Sequence, residues 1–177
     1  ALPRDAIISS DIGNNCAIGN AYPTFEKGRK YLAPGLFGPC GYGLPSIVGA
    51  KIGVPTVPVV GFAGDGAFGI SVNEMTSIGR SEWPAITMII FRNYQWGAEK
   101  RNTTLWFKDN FVGTELDTKV SYAKMADACG FIGATANSME ELTSILKEAI
   151  NQQMENNKTT FIEVMLNQEL GEPFRRD

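Results

Sequence analysis

Five stretches of the chain are dominated by apolar and β-branched side chains: residues 6–9, 57–63, 85–91 (AITMIIF), 131–135 and 160–165 (TFIEVM). Each has the length of a strand. Segments with helical spacing lie between them, at 42–53, 70–80, 120–129 and 138–156. The last is the clearest. Ser138 and Glu141 form a capping box, and Leu142, Ile145, Leu146, Ala149 and Ile150 share one face. Strands alternating with helices predict an α/β fold, three αβα layers around a central, mostly parallel sheet. Residues 57–63 and 85–91 are apolar nearly throughout, as strands covered on both faces are. Residues 93–119 have no regular period and are long for a structureless loop, which predicts a functional loop or a short helix near their middle. Trp96, Trp106, Phe107 and Phe111 within this segment predict packing against something.

Composition narrows the function. With 177 residues, 44% of them apolar, the chain suffices for one domain with a full core, and no repeat or interdomain linker divides it. A net charge of −3 without a basic block argues against nucleic-acid binding. No apolar run reaches the length of a membrane span. The start, ALPRDAIISSDIG, lacks a signal peptide's basic segment and apolar core. Three scattered cysteines, Cys16, Cys40 and Cys129, argue against a disulfide framework or a thiolate zinc site. A cytoplasmic location is therefore expected. There is no histidine, which excludes within this chain a Ser-His-Asp triad, a Cys-His pair and histidine-ligated metals.

The chemistry concentrates where the second apolar run ends. Gly64, Gly66 and Gly69 give G-x-G-x-x-G, the spacing of a dinucleotide-binding turn. Ligands of open α/β sheets sit beyond the carboxyl ends of the strands, and helix N–H groups from about Gly66 to Phe68 would face an anion there. Asp65 opposes that reading. At ~4 Å it would repel a bare phosphate by a few kcal/mol at an effective dielectric near 20. A divalent cation between them reverses the sign, and Mg²⁺ favours bridging a carboxylate to phosphates. A metal demands further oxygens near the end of the next strand. Asn93 offers an amide oxygen there, and the main-chain carbonyl of Gln95 a third ligand. A dinucleotide demands instead an acidic residue after that strand; Glu82 lies before it, and Arg92 and Asn93 stand in its place.

Gly64-Asp65-Gly66 followed by Asn93 resembles the motif of thiamine-diphosphate-dependent enzymes: GDG, about two dozen residues, then Asn-Asn. Arg92 replaces the first Asn, and Asn93 matches the second, which carries the metal-binding role. The run GLFGPCGYGLP at 35–45 with IVGAK at 47–51 resembles the acetolactate-synthase-like members. In them a side chain at the position of Cys40 props the bent cofactor, and the carbonyl matched by Gly38 accepts its 4′-amino group. DIGNN at 11–15 aligns with their first diphosphate loop, which makes Asn14 and Asn15 candidate phosphate contacts beside their ordinary reading as turn formers. Gly64, Gly66 and Ala67 complete the implied cofactor set. DIGNN, FGPCGYGLP, AGDGAFG, NYQWGAEK and the ending ELGEPFRRD narrow the resemblance to the sulfoacetaldehyde acetyltransferase branch of the family.

The resemblance implies thiamine diphosphate and Mg²⁺ as cofactors, and conversion of sulfoacetaldehyde and phosphate to acetyl phosphate and sulfite. An acetolactate-synthase-like carboligase, a sulfopyruvate-decarboxylase-type subunit and a non-catalytic nucleotide-binding module remain alternatives. In the family an activating glutamate sits on a separate pyrimidine-binding domain, reached across a subunit interface. Residues 1–177 are filled by the diphosphate-binding pattern, so the chain is expected to be an excerpt of a longer oligomeric enzyme or a separate subunit, inactive alone, with an apolar surface where the other domain would sit. Trp96, Glu99 and Lys100 either face substrate or pack at the surface. Arg175 and Arg176 either clamp a sulfonate or phosphate or stay solvated.

Overall fold

Every strand among the described residues runs parallel to its neighbours. The structure, a computed structural model, describes residues 2–25, 28, 30–80 and 82–169. From β1 (Ile7–Ser10) the chain passes through α1 (Asn14–Ala21) to a two-residue edge strand, β2 (Tyr31–Leu32). It returns past β1 through α2 (Gly43–Gly53) to β3 (Val59–Gly64). Then come α3 (Asp65–Ile70), a 3₁₀ turn at Val72–Glu74, α4 (Met75–Ile78) and β4 (Thr87–Arg92). The last part holds α5 (Gly97–Phe107), α6 (Tyr122–Ala128), β5 (Ile132–Ala136), α7 (Met139–Glu155) and β6 (Thr160–Met165). The sheet order is β2-β1-β3-β4-β6-β5. The parallel direction follows from the connections, since each strand is joined to the next through a crossover.

Side chains alternate between two cores. Val59, Ala63, Met88, Ile90 and Phe161 face α2, α4 and α6, where Ile47, Met75 and Ala126 meet them. Val60, Ile89, Ile162 and Val164 face α7 through Leu146 and Ala149. Phe68, Phe161, Leu44 and Ile86 are wholly buried, and each contributes about 1.5–3 kcal/mol of transfer free energy. The cap expected at the start of α7 is present: the Glu141 N–H donates to Ser138 Oγ at 3.1 Å, while Glu141 Oε2 accepts the N–H of Asn137, one residue before the cap, at 2.7 Å.

Three local readings differ from the structure. The helix expected over 70–80 is broken into a 3₁₀ turn and the four-residue α4, and the glycine turn before it is itself the helix α3, which ends at Ile70. The helix expected near the middle of 93–119 starts at Gly97, and none of its residues is buried, so no apolar stripe announces it. Neither α1 nor β2 was expected; α1 (NNCAIGNA) is barely amphipathic, and two residues make no periodic signal. No helix among the described residues is long and apolar enough to cross a membrane. All three cysteines are free.

Candidate functional site

The chain reverses direction across the sheet between β1 and β3. Gly19 of α1 lies against Phe62 on one face, while Ile47 and Val48 of α2 pack on the other. The loops leaving β1 and β3 diverge at such a switch point, where open α/β sheets bind ligands. A cleft of about 690 Å³ opens there, between the loop after β1, the turn after β3 and the start of α5.

Two carboxylates shape the cleft, in different ways. Asp11, wholly buried, is consumed by structure. It accepts N–H groups from Ile12 at 2.8 Å, Gly41 at 3.1 Å and Gly43 at 2.7 Å, tying the loop after β1 to the start of α2. Asp65 is only 3% exposed, yet it is half spent. Its Oδ2 accepts the Tyr94 N–H at 2.7 Å, and its Oδ1 accepts the Gly66 N–H at 3.1 Å. Burial pushes its carboxyl above the ordinary range, while those two N–H groups and the Arg92 guanidinium pull it back.

Asn93 turns its side-chain amide toward the same oxygen. The facing amide atom lies 3.3 Å from Asp65 Oδ1 and 3.1 Å from the Gln95 carbonyl oxygen. Two arrangements are possible. With the NH₂ turned inward, Asn93 donates to both and the cluster closes on itself. With Oδ1 inward, three oxygens meet with no proton among them, an arrangement that a cation, or a proton on Asp65, relieves. Neighbouring ligands of an octahedral Mg²⁺ with metal–oxygen distances of 2.0–2.1 Å lie about 3 Å apart, so the spacing fits that ion. Among the described residues no group of three acidic or cysteine side chains offers a competing site.

The remaining residues distribute as follows. Asn14, Asn15, Cys40, Gly64, Gly66, Ala67 and Gln95 all line the cleft. Gly38 does not; it sits behind Ile12 with a left-handed φ of 60°. Asn15 braces the turn between β1 and α1 by donating to Ser10 Oγ at 3.2 Å and to the Asp11 carbonyl at 2.9 Å. The Gly66 N–H, expected free for an anion, is taken by Asp65. A Cβ on Gly66 would stand 2.8 Å from the Trp96 ring, so glycine there lets the indole close over the turn. Cys40, which the resemblance makes the cofactor's prop, is exposed in this chain. Desolvation and the charges of Asp11 and Glu99 push its thiol up, which disfavours the thiolate. Trp96 and Glu99 line the cleft, and Lys100 does not. Lys100 Nζ instead donates to Gln95 Oε1 at 3.1 Å and pairs with Glu115. Arg175 and Arg176 lie outside the described residues.

Sequence reasoning missed an ion pair beneath the site. Arg92 Nη1 meets Glu163 Oε1 at 2.7 Å, with both side chains nearly inaccessible. Glu163 also accepts from Ser121 Oγ and the Tyr122 N–H, each at 2.8 Å. Burial raises the Glu163 pKa, but these donors and Arg92 outweigh it and leave the carboxyl below its ordinary value. The Tyr122 hydroxyl donates to the Asp65 carbonyl at 3.1 Å. The signal was present: a glutamate inside the apolar run TFIEVM requires a buried cation, and Arg92 ends the neighbouring strand.

Comparison with known proteins gives a consistent picture. The family described as thiamine pyrophosphate enzyme, C-terminal TPP binding domain, matches residues 11–164. Sulfoacetaldehyde acetyltransferase of Roseovarius nubinhibens is 74% identical over all 177 residues, which cover 29% of that protein. A probable sulfoacetaldehyde acetyltransferase of Rhizobium meliloti is 75% identical over 176 residues, 99% of this chain and 30% of that protein. The acetolactate synthase isozyme 3 large subunit of Escherichia coli is 28% identical over 160 residues, 90% of this chain and 28% of that protein. The chain thus spans under a third of the length of these curated relatives. The thiamine diphosphate-dependent 4-hydroxybenzoylformate decarboxylase of Rhodococcus jostii RHA1 superposes with a TM-score of 0.82 at 23% identity, over 96% of this chain and 31% of that one, a likeness of fold.

Proposed function

The chain belongs to the thiamine pyrophosphate enzymes as a C-terminal TPP binding domain, and from that premise we propose that it holds the diphosphate end of thiamine diphosphate through Mg²⁺ in a sulfoacetaldehyde acetyltransferase. One observation carries the metal site: at the ends of β3 and β4 the Asn93 amide lies 3.3 Å from Asp65 Oδ1 and 3.1 Å from the Gln95 carbonyl oxygen. Asp65, Asn93 and the Gln95 carbonyl would ligate the ion. Asn14, Asn15 and the main chain at Gly64, Gly66 and Ala67 would surround the phosphates. Cys40 would support the thiazolium from the opposite lip, and the Gly38 carbonyl, set behind Ile12, would receive the aminopyrimidine.

Bound thiamine diphosphate would supply a carbon nucleophile and an acceptor for the electron pair left when the aldehyde carbon gives up its proton; that pair would then expel sulfite, which keeps the electrons of its own bond to carbon. This chain's part is to fix the cofactor's anionic end and to keep water from the acetyl group. Trp96, closed over Gly66, contributes to the second task. The reading over the whole protein is sulfoacetaldehyde and phosphate to acetyl phosphate and sulfite, supported by whole-chain identities above 70% to proteins so named. The activating carboxylate would come from a pyrimidine-binding domain in the rest of the enzyme, across a homo-oligomer interface. Wholly exposed Leu36 and Phe37, beside Cys40, support that docking.

Calorimetric titration of the complete enzyme with thiamine diphosphate, with and without Mg²⁺, tests the cofactor reading; binding indifferent to chelation overturns it. Sulfite release from sulfoacetaldehyde, against carbon dioxide release from a 2-oxo acid, separates the acetyltransferase from a carboligase. Residues 1–177 alone are expected to give neither.

A further inference from the structure

Tyr94 stands between two of the three converging oxygens, and its backbone is left-handed, with φ of 59°. For a residue other than glycine that conformation costs on the order of 1–3 kcal/mol and needs local compensation. Asn93 and Gln95 flank it, so its dihedrals set how their oxygens approach. Its N–H also donates to Asp65 Oδ2, which turns Oδ1 toward Asn93. The compensation is visible. The Arg92 guanidinium carbon lies 4.6 Å from the Tyr94 ring centroid and 5.3 Å from that of Tyr122. Glu163 fixes the guanidinium, and the Tyr122 hydroxyl returns to the Asp65 carbonyl.

We propose that Arg92 is a positioning residue for the metal loop: held by Glu163 and packed against Tyr94 and Tyr122, it keeps Tyr94 in the left-handed turn that converges the oxygens of Asp65, Asn93 and Gln95. The inference rests on the Mg²⁺ site proposed above. A lone cation beside a metal site would repel the metal. Paired with Glu163, the guanidinium contributes a flat stacking surface with little net charge. Its action is therefore geometric, and it passes through residue 94.

The test is a double-mutant cycle in the complete enzyme, with Mn²⁺ as probe, titrated by electron paramagnetic resonance in the presence of thiamine diphosphate. One arm replaces the ion pair together, Arg92→Met with Glu163→Gln, so that no buried charge is orphaned. The other arm is Tyr94→Gly, because glycine takes the left-handed turn unaided. Removing the pair is expected to weaken Mn²⁺ binding at least tenfold with Tyr94 present, and less than twofold in the Tyr94→Gly background. Equal losses in both backgrounds, or no loss with Tyr94 present, overturn the inference. If the paired replacement does not melt cooperatively, Arg92→Lys takes its place. It keeps the charge and gives up the planar stack, and a threefold or larger loss confined to the Tyr94 background is expected; an equal loss in both, or none, overturns the inference. Wild-type enzyme that takes up no Mn²⁺ with thiamine diphosphate overturns the metal site and this inference together. Wild-type binding with an uncoupled cycle overturns the inference alone.

Discussion

The two ends of β3 each carry a buried polar side chain, and they behave in opposite ways. At the start, Gln153 reaches over from α7. Its Oε1 accepts the Val59 N–H at 2.8 Å, and its Nε2 donates to the Val59 carbonyl and to Thr87 Oγ1, both at 2.9 Å. Donors meet acceptors, and the cluster is complete without a ligand. At the far end, Asp65 meets an amide and a carbonyl, and the oxygens outnumber the protons unless Asn93 turns over. Gln153 and Asp65 are almost equally buried, at 2% and 3% exposed. Burial alone therefore does not mark a binding site; the mismatch of donors and acceptors does.

That contrast is open to attack by substitution. The largest effect is expected from Asp65→Asn, which should lower Mg²⁺-dependent thiamine diphosphate affinity on the order of a hundredfold or more, since breaking a buried charged partnership costs about 3 kcal/mol or more. In chelator the same change should raise the melting temperature. A carboxyl whose folded pKa is raised contributes its stability below the unfolded value near 3.9, and that contribution is lost as pH rises through the folded value. The advantage of Asn should thus appear across that window, persist at neutral pH and vanish in acid. Thermal unfolding over a pH series checks it, and a lower melting point in chelator at neutral pH would make Asp65 a structural residue like Gln153.

Gln153→Leu should show the reverse behaviour. It orphans the Val59 N–H and carbonyl and should cost about 2–4 kcal/mol in urea unfolding, with cofactor affinity unchanged. Gly66→Ala drives a Cβ into the Trp96 ring, and about 1–3 kcal/mol should be lost to overpacking. Adding Trp96→Ala should restore most of that stability, which calorimetric melting would show. The smallest effect, about 1 kcal/mol in the same assay, is expected from Ser138→Ala, which removes the α7 cap on a helix away from the cleft and should leave cofactor binding alone.

Much of the fold was legible because its carriers are periodic. The apolar runs at 57–63 and 85–91 became the central strands β3 and β4, and the capping box at Ser138 began α7 within a residue of its expected start. What escaped lacked an apolar period. The helix after Gly97 lies on the surface with Leu105, Trp106 and Phe107 exposed, so its pattern reads as irregular. Of the four aromatics expected to pack, Trp96 closes over Gly66 and the Phe111 ring centroid lies 5.1 Å from Lys100 Nζ, while Trp106 and Phe107 stay exposed among the described residues. In the cleft, the convergence of Asp65 and Asn93 could be anticipated from strand ends. The roles of Asp11 and Tyr94 could not, since they arise from which main-chain N–H groups a tertiary turn delivers. Arg92 shows a third case. In sequence it is only a departure from the Asn-Asn motif, and the structure gives it an ion-pair partner 71 positions away.

In β3 and β4, Gly64 pairs with Phe91, so Asp65 and Asn93 leave the sheet one and two residues beyond a shared rung. Adjacent strands lie about 4.8 Å apart whatever joins them. The gap between Asp65 and Asn93 is therefore gauged by the ladder, and the length of the crossover has no say in it. Residues inserted near Gly79, on the outward side of that crossover, should leave the grip intact, whereas a one-step slip of β4 would send Asn93 to the opposite face of the sheet.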